Sequence, residues 1–124
     1  MEEIYCKMGK MSHNKIKIYK QAILEVLEGE KIIRTDSDVK DIVLSDKEKR
    51  YYQLIRMGWE TSSLFLHKII FHFHIATDGK IWLLENNTDI PITEELLKKG
   101  IPQTDIVLGF HPTQYRQYTG YAVA

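Results

Sequence analysis

Only one cysteine, Cys6, occurs in the 124 residues. A lone thiol can neither close an internal disulfide nor build a cysteine-based zinc site. Apolar runs are short, far below the ~20 residues that a membrane-crossing helix needs, and the first residues are charged; together these place the protein in the cytoplasm. Net charge is missing as well, with 17 basic residues balancing 17 acidic ones. Binding a nucleic-acid duplex neutralises phosphates and releases counterions, so a neutral domain can do it only through a local patch. There is no Gly-x-Ser-x-Gly elbow to present a serine for attack and no glycine-rich loop to cradle phosphates. Repeats, low-complexity tracts and interdomain linkers are absent too. What remains is 44% hydrophobic and 27% charged, the balance of one globular domain large enough to bury about two-thirds of its unfolded surface. The expected layout is a loose leader over residues 1–13 and a single domain over 14–124.

Ser12 or Asn14 can cap a helix running to about Glu30, because a short side-chain oxygen satisfies the first unpaired amides. Ile16, Tyr19, Ile23, Val26 and Leu27 recur at three- and four-residue steps and make one apolar stripe that should lie on a sheet. Past the polar turn at Thr35–Asp38 the period changes. Val39 to Leu44 reads as a strand and Ser45–Lys49 as a charged hairpin loop. Arg50 to Trp59 is a second strand, with Tyr51, Ile55, Met57 and Trp59 on one face and Tyr52 and Leu54 on the other. Two apolar faces imply an internal position.

The longest strand, Leu64 to Thr77, should pair with Ile81 to Asn86 across Asp78-Gly79, a dipeptide suited to a two-residue type I′ turn. That loop sets Thr77 opposite Lys80, Ile75 opposite Trp82, Phe73 opposite Leu84 and His72 opposite Glu85. Phe71, Phe73, Ile75, Trp82 and Leu84 then form the core face, while Ile70, His72, His74, Ile81, Leu83 and Glu85 share the other. Ile92 to Lys99 reads as a short helix stopped by Gly100 and Pro102, with Ile101 folding back on Leu96. A second short helix is expected over Thr104–Leu108, and Pro112 can start a third reaching about Tyr118. The fold class is therefore α+β: an N-terminal helix, an antiparallel sheet of about four strands, and short C-terminal helices packed on one face. The sheet's exposed face could support a homodimer.

Four groups of residues could carry chemistry or recognition. His72, His74 and Glu85 fall on neighbouring strands, and two imidazoles with a carboxylate can hold iron or zinc with positions left open for water. The alternative is a plain cross-strand pair between His72 and Glu85. Lys7, Lys10, Lys15, Lys17 and Lys20, with His13 among them, could make a phosphate-contacting stripe or simply a solvated helix face. At Gly109-Phe110-His111-Pro112 the glycine permits a tight turn, the phenylalanine can anchor it in the core, and His111 can cap the helix that follows; His111, Arg116 and Tyr118 could instead form a recognition surface. Asp38-Val39-Lys40 and Asp78-Gly79-Lys80 have the short acidic-x-Lys pattern of metal-dependent nucleases. The second is a turn, and no upstream strand aspartate completes the first.

The C-terminal third resembles a known family in Asp78-Gly79-Lys80-Ile81-Trp82, Asn87-x-Asp89, Glu95-Leu96, Gly100-Ile101-Pro102, the run Asp105 to Pro112, Arg116 and Ala122-Val123-Ala124. The likeness continues upstream through the first helix, Gly58-Trp59 and Ile70 to His72, from about residue 14 on. The family is that of the XisI excision-controlling factors, named for a cyanobacterial protein needed to cut a DNA element out of the chromosome. This resemblance implies a non-catalytic accessory role without a cofactor. It further implies action alongside a site-specific recombinase and a companion, XisH, that itself resembles a nuclease.

Overall fold

The apolar stripe of the first helix covers one face of a five-stranded sheet, and the core lies between them. The computed structural model describes the backbone of residues 8–124 and the side chains from Asn14 onward, so Cys6, Lys7 and the first part of the expected leader lie outside the described residues. Helix α1 (Met8–Gly29) already contains Ser12 and Asn14, so neither is its cap. Strands β1 (Lys40–Asp46), β2 (Tyr51–Trp59), β3 (Phe65–Ile75), β4 (Ile81–Asn86) and β5 (Ile106–Leu108) lie side by side in that order. Neighbours are antiparallel except β4 and β5, which run parallel. Helix α2 (Ile92–Lys98) packs beside α1, and α3 (Thr113–Arg116) follows β5.

Tyr19, Ile23, Val26 and Leu27 of α1 meet Tyr52 and Leu54 of β2, Phe71, Phe73 and Ile75 of β3, and Ile92 and Leu96 of α2. These positions agree with the helical stripe and with the two faces assigned to β2. Ile70, expected on the outer face, is instead buried in the core beside Phe71, because the β2–β3 register shifts between Leu54 and Ile55 and skips it. Helix α2 also ends as expected. Gly100 takes a left-handed φ of 91°, the Ile101 amide bonds back to the Leu96 carbonyl at 3.2 Å, and Ile101 is buried.

The β3–β4 hairpin departs from the expected register. The Gly79 amide bonds to the Ala76 carbonyl and the Ala76 amide to the Lys80 carbonyl, both at 2.9 Å, while Gly79 has a φ of 88°. This is a three-residue loop, a type I turn closed by a left-handed glycine, rather than a two-residue type I′ turn. The extra residue sets Ile75 opposite Ile81, His74 opposite Trp82 and Phe73 opposite Leu83. Side chains alternate with period two, so this slip turns β4 over. Ile81 and Leu83 enter the core, and Trp82 and Leu84 move to the outer face. A bulge between His72 and Phe73 then restores the expected pairing of His72 with Glu85.

The fifth strand is the second correction. Gln103–Asp105 makes one 3₁₀ turn, and Ile106–Leu108, expected to be helical, pairs with Ile81–Leu83. Two β-branched residues and an unpaired β4 edge favour the strand over a helix too short to sustain itself. Ala122 adds one more parallel bridge to Val107, while Val123 stays exposed. Among the described residues, no helix is long and apolar enough to cross a membrane.

Candidate functional site

His72, His74 and Glu85 do lie together on the outer face, but each is engaged separately. His74 Nδ1 lies 2.9 Å from the Arg50 carbonyl. A carbonyl only accepts, so this nitrogen carries the proton and donates. The His74 ring stacks on Tyr51 with centroids 4.1 Å apart. Glu85 Oε2 accepts from Asn87 Nδ2 at 2.8 Å. His72 Nδ1 lies 3.4 Å from Gln53 Nε2, and its Nε2 is buried without a partner. Burial holds the His72 pKa below its ordinary 6.5, with Glu85 pulling the other way and His74 adding to the shift. Among the described residues no three His, Cys, Asp or Glu side chains converge as a metal cage would require.

The corner after β5 is built on Trp82. A Cβ on Gly109 would come within 2.8 Å of the Trp82 ring and 3.2 Å of Leu84, so only glycine lets the backbone close over the indole. The Gly109 amide bonds to the Leu83 carbonyl at 2.9 Å, which continues the β4–β5 ladder into the turn. Arg116 lies over the same indole, 4.9 Å from the ring centroid. Its Nε donates to the His111 carbonyl at 3.0 Å and its Nη1 to the Val123 carbonyl at 3.2 Å. The arginine thus ties three segments together.

Two expectations at this corner fail. Phe110 is 48% exposed rather than anchored in the core, because Trp82 fills the space beneath the turn; its ring leans on His111 instead. Pro112 occupies the cap position of α3, and no side chain caps that helix, so His111 has no capping role. Tyr118 is 78% exposed, and with Phe110 and Tyr115 it gives the corner an aromatic surface.

Other groupings gave no signal in the linear pattern. Asp41 is buried on the inner face, where its two oxygens accept from Arg56 Nε at 2.7 Å and Nη2 at 2.9 Å, and from the Ile32 amide at 2.8 Å. Burial alone would raise the Asp41 pKa; Arg56 and the Ile32 amide outweigh it and hold the carboxyl below its usual 3.8. Pairing of β1 with β2 sets these residues directly opposite one another. The lysine stripe of α1 is divided. Lys15 pairs with Asp105 at 3.1 Å, and Asp105 also accepts from the Tyr19 hydroxyl. Lys17 and Lys20 line a hollow together with Lys47 and Arg50 of the β1–β2 loop. The side chains of Lys10 and His13 lie outside the described residues.

Residues 13–123 match the XisI protein family. The chain belongs to that family. Among solved structures, the fdxN element excision controlling factor XisI from Anabaena variabilis is 32% identical, with 89% of this chain and 99% of that one covered at a TM-score of 0.73. A XisI-like protein from the same organism is also 32% identical, with 91% and 99% covered and a TM-score of 0.75. Comparison with curated proteins gave no match. The α+β architecture of this chain is that of its solved relatives.

Proposed function

We propose that this XisI-family protein is a non-catalytic, cytoplasmic accessory factor that helps control excision of a DNA element by binding another protein. The partner is a XisH-like, nuclease-related companion, and a site-specific recombinase performs the strand chemistry. One solved relative bears the description of an excision controlling factor. The observation that carries the reading is the aromatic surface of Phe110, Tyr115 and Tyr118, exposed on a corner that Trp82, Gly109 and Arg116 hold rigid. Aromatic anchors on a fixed scaffold give large contact area at small entropic cost, which is how hot spots at protein interfaces are built. His72, His74 and Glu85, the side chains best placed for chemistry, are engaged with tyrosine, glutamine, asparagine and backbone partners.

Co-expression with a XisH-like protein encoded beside this gene tests the proposal. A stable complex should co-purify, and Tyr118→Ser should weaken it by about 2 kcal/mol, roughly thirtyfold, while the melting temperature stays unchanged. Failure of the two proteins to co-purify would sink the reading. So would a substrate-cleaving activity of the isolated chain that vanishes in His72→Ala.

A further inference from the structure

Between α1 and the β1–β2 loop lies a cavity of about 430 Å³ lined by Ile16, Lys17, Lys20, Lys47, Arg50 and Tyr52. Lys17 and Lys20 stand three residues apart and so share a helix face. Lys47 and Arg50 open and close the loop between β1 and β2. Among the described residues none of these four cations has a carboxylate partner. Four like charges around one hollow repel each other, and an anion between them relieves that repulsion.

A second, independent observation concerns Tyr52. Its side chain is 0% exposed and forms part of the cavity wall, yet its hydroxyl has no hydrogen-bond partner among the described residues. Buried hydroxyls without partners are rare, and an absent ligand is one of the few reasons for keeping one. Burial raises the pKa of this phenol, with Arg50 opposing and Asp46 adding to the shift, so the group stays protonated as a donor. Asp46 itself is occupied, its Oδ1 accepting from the Glu48 and Lys49 amides at 3.0 and 3.1 Å.

Arg50 is held in place by three hydrogen bonds to the end of β3. It is the one non-glycine residue with a left-handed backbone among those described, at a φ of 61°. Its carbonyl accepts from the Ile75 amide at 3.0 Å and from His74 Nδ1 at 2.9 Å, and its Nε donates to the Ile75 carbonyl at 3.2 Å. Non-glycine residues in this conformation persist where surrounding contacts hold them, and they cluster at functional sites. His74, considered above as a metal ligand, thereby helps fix the peptide that carries one wall of the cavity.

We propose that this cavity binds a phosphate monoester, with Lys17, Lys20, Lys47 and Arg50 around the dianion and the Tyr52 hydroxyl donating to one of its oxygens. The volume falls within the ~300–1,000 Å³ range of small-ligand pockets. A duplex backbone instead requires an extended row of cations, and the row on α1 is broken where Lys15 turns to Asp105. The monoester can belong to a mononucleotide or to the 5′-phosphate end of a nucleic-acid strand.

Calorimetric titration of the full chain tests this with inorganic phosphate, a nucleoside 5′-monophosphate, and a 5′-phosphorylated oligonucleotide beside its dephosphorylated twin. Binding is expected, with phosphate raising the melting temperature. Tyr52→Phe keeps the buried ring and removes only an unpartnered hydroxyl, so it should fold at an equal or higher melting temperature and bind about tenfold more weakly. Lys47→Gln, at an exposed loop position, should weaken binding to a similar degree. Binding of the mononucleotide alone assigns the site to a small molecule; binding of the phosphorylated oligonucleotide alone assigns it to strand ends. The proposal is overturned if no probe binds, if the dephosphorylated twin binds equally well, or if both variants bind like the wild type. None of these outcomes bears on the protein-partner reading, which uses other residues.

Discussion

Asp41 shows how much of this fold depends on single polar groups. Its carboxylate is buried among three donors, two from Arg56 and one from the Ile32 backbone, which closes the loop after α1 onto β1. Removing one partner of a buried ion pair leaves the other charge uncompensated. Asp41→Ala should therefore cost about 3 kcal/mol in urea denaturation, and much less when Arg56→Met is combined with it. A loss in the double variant equal to the sum of the Asp41→Ala and Arg56→Met losses would show that the pair is not coupled.

His72 should confer a pH dependence of a distinct kind. Its imidazole titrates near 6.5 in the unfolded chain and lower in the fold, because burial disfavours the charged ring. Between the two values the unfolded state binds the proton and the native state does not. The contribution of neutral His72 is thus complete above about pH 6.5 and is lost as pH falls below it. Asp41, held below 3.8, loses its contribution only as pH drops beneath that value, so the two windows separate. Denaturation midpoints measured down to about pH 5 should decline in the wild type and hold level in His72→Gln.

At the level of elements, the hairpin shows what a sequence can and cannot specify. The turn at Asp78-Gly79 and the two strands were legible; the facing of His72 and Glu85 came out as expected only because a bulge offsets the wrong loop length. The loop length was not, because a glycine with positive φ serves both the two-residue and the three-residue loop. Alternation could not settle it either. Ile81, Trp82, Leu83 and Leu84 are all apolar, so both registers present a hydrophobic face. What decides is volume: the inner face already carries Tyr52, Phe71 and Phe73, and the indole finds room outside between Gly109 and Arg116. Gly109→Ala should accordingly push against Trp82 and cost ~1–3 kcal/mol, with a changed near-ultraviolet circular dichroism signal from the tryptophan. Strand β5 was illegible for another reason, since three residues carry too little pattern to name a strand. The cationic cavity was unreadable because its walls come from elements separated by some thirty residues, brought together only by packing of α1 on the sheet.

On the scale of the whole molecule, the two sides of the sheet differ. The inner side is sealed by α1 and α2, while Ile42, Leu44, Tyr51, Trp59 and Phe65 stand exposed on the outer side of β1, β2 and β3. At ~3.3 Å per residue and ~4.8 Å between strands, this face spans on the order of 500 Å² before side-chain relief, near the scale of the ~800 Å² per partner in a stable interface. A second copy would suit an outer face built of these apolar and aromatic side chains, because such a surface needs no oppositely charged partner. Sedimentation should then show a dimer that Leu44→Lys converts to a monomer with little change in melting temperature. A wild-type chain that stays monomeric at every concentration would rule out this assembly.

The parallel strand at the far edge also constrains how the polypeptide matures on the ribosome. The amides and carbonyls on the free side of β4 find partners only in residues made some twenty positions later, after α2 has formed. A nascent chain halted before Gln103 would expose that raw border to any extended peptide nearby, and its fate would be aggregation or capture by a chaperone.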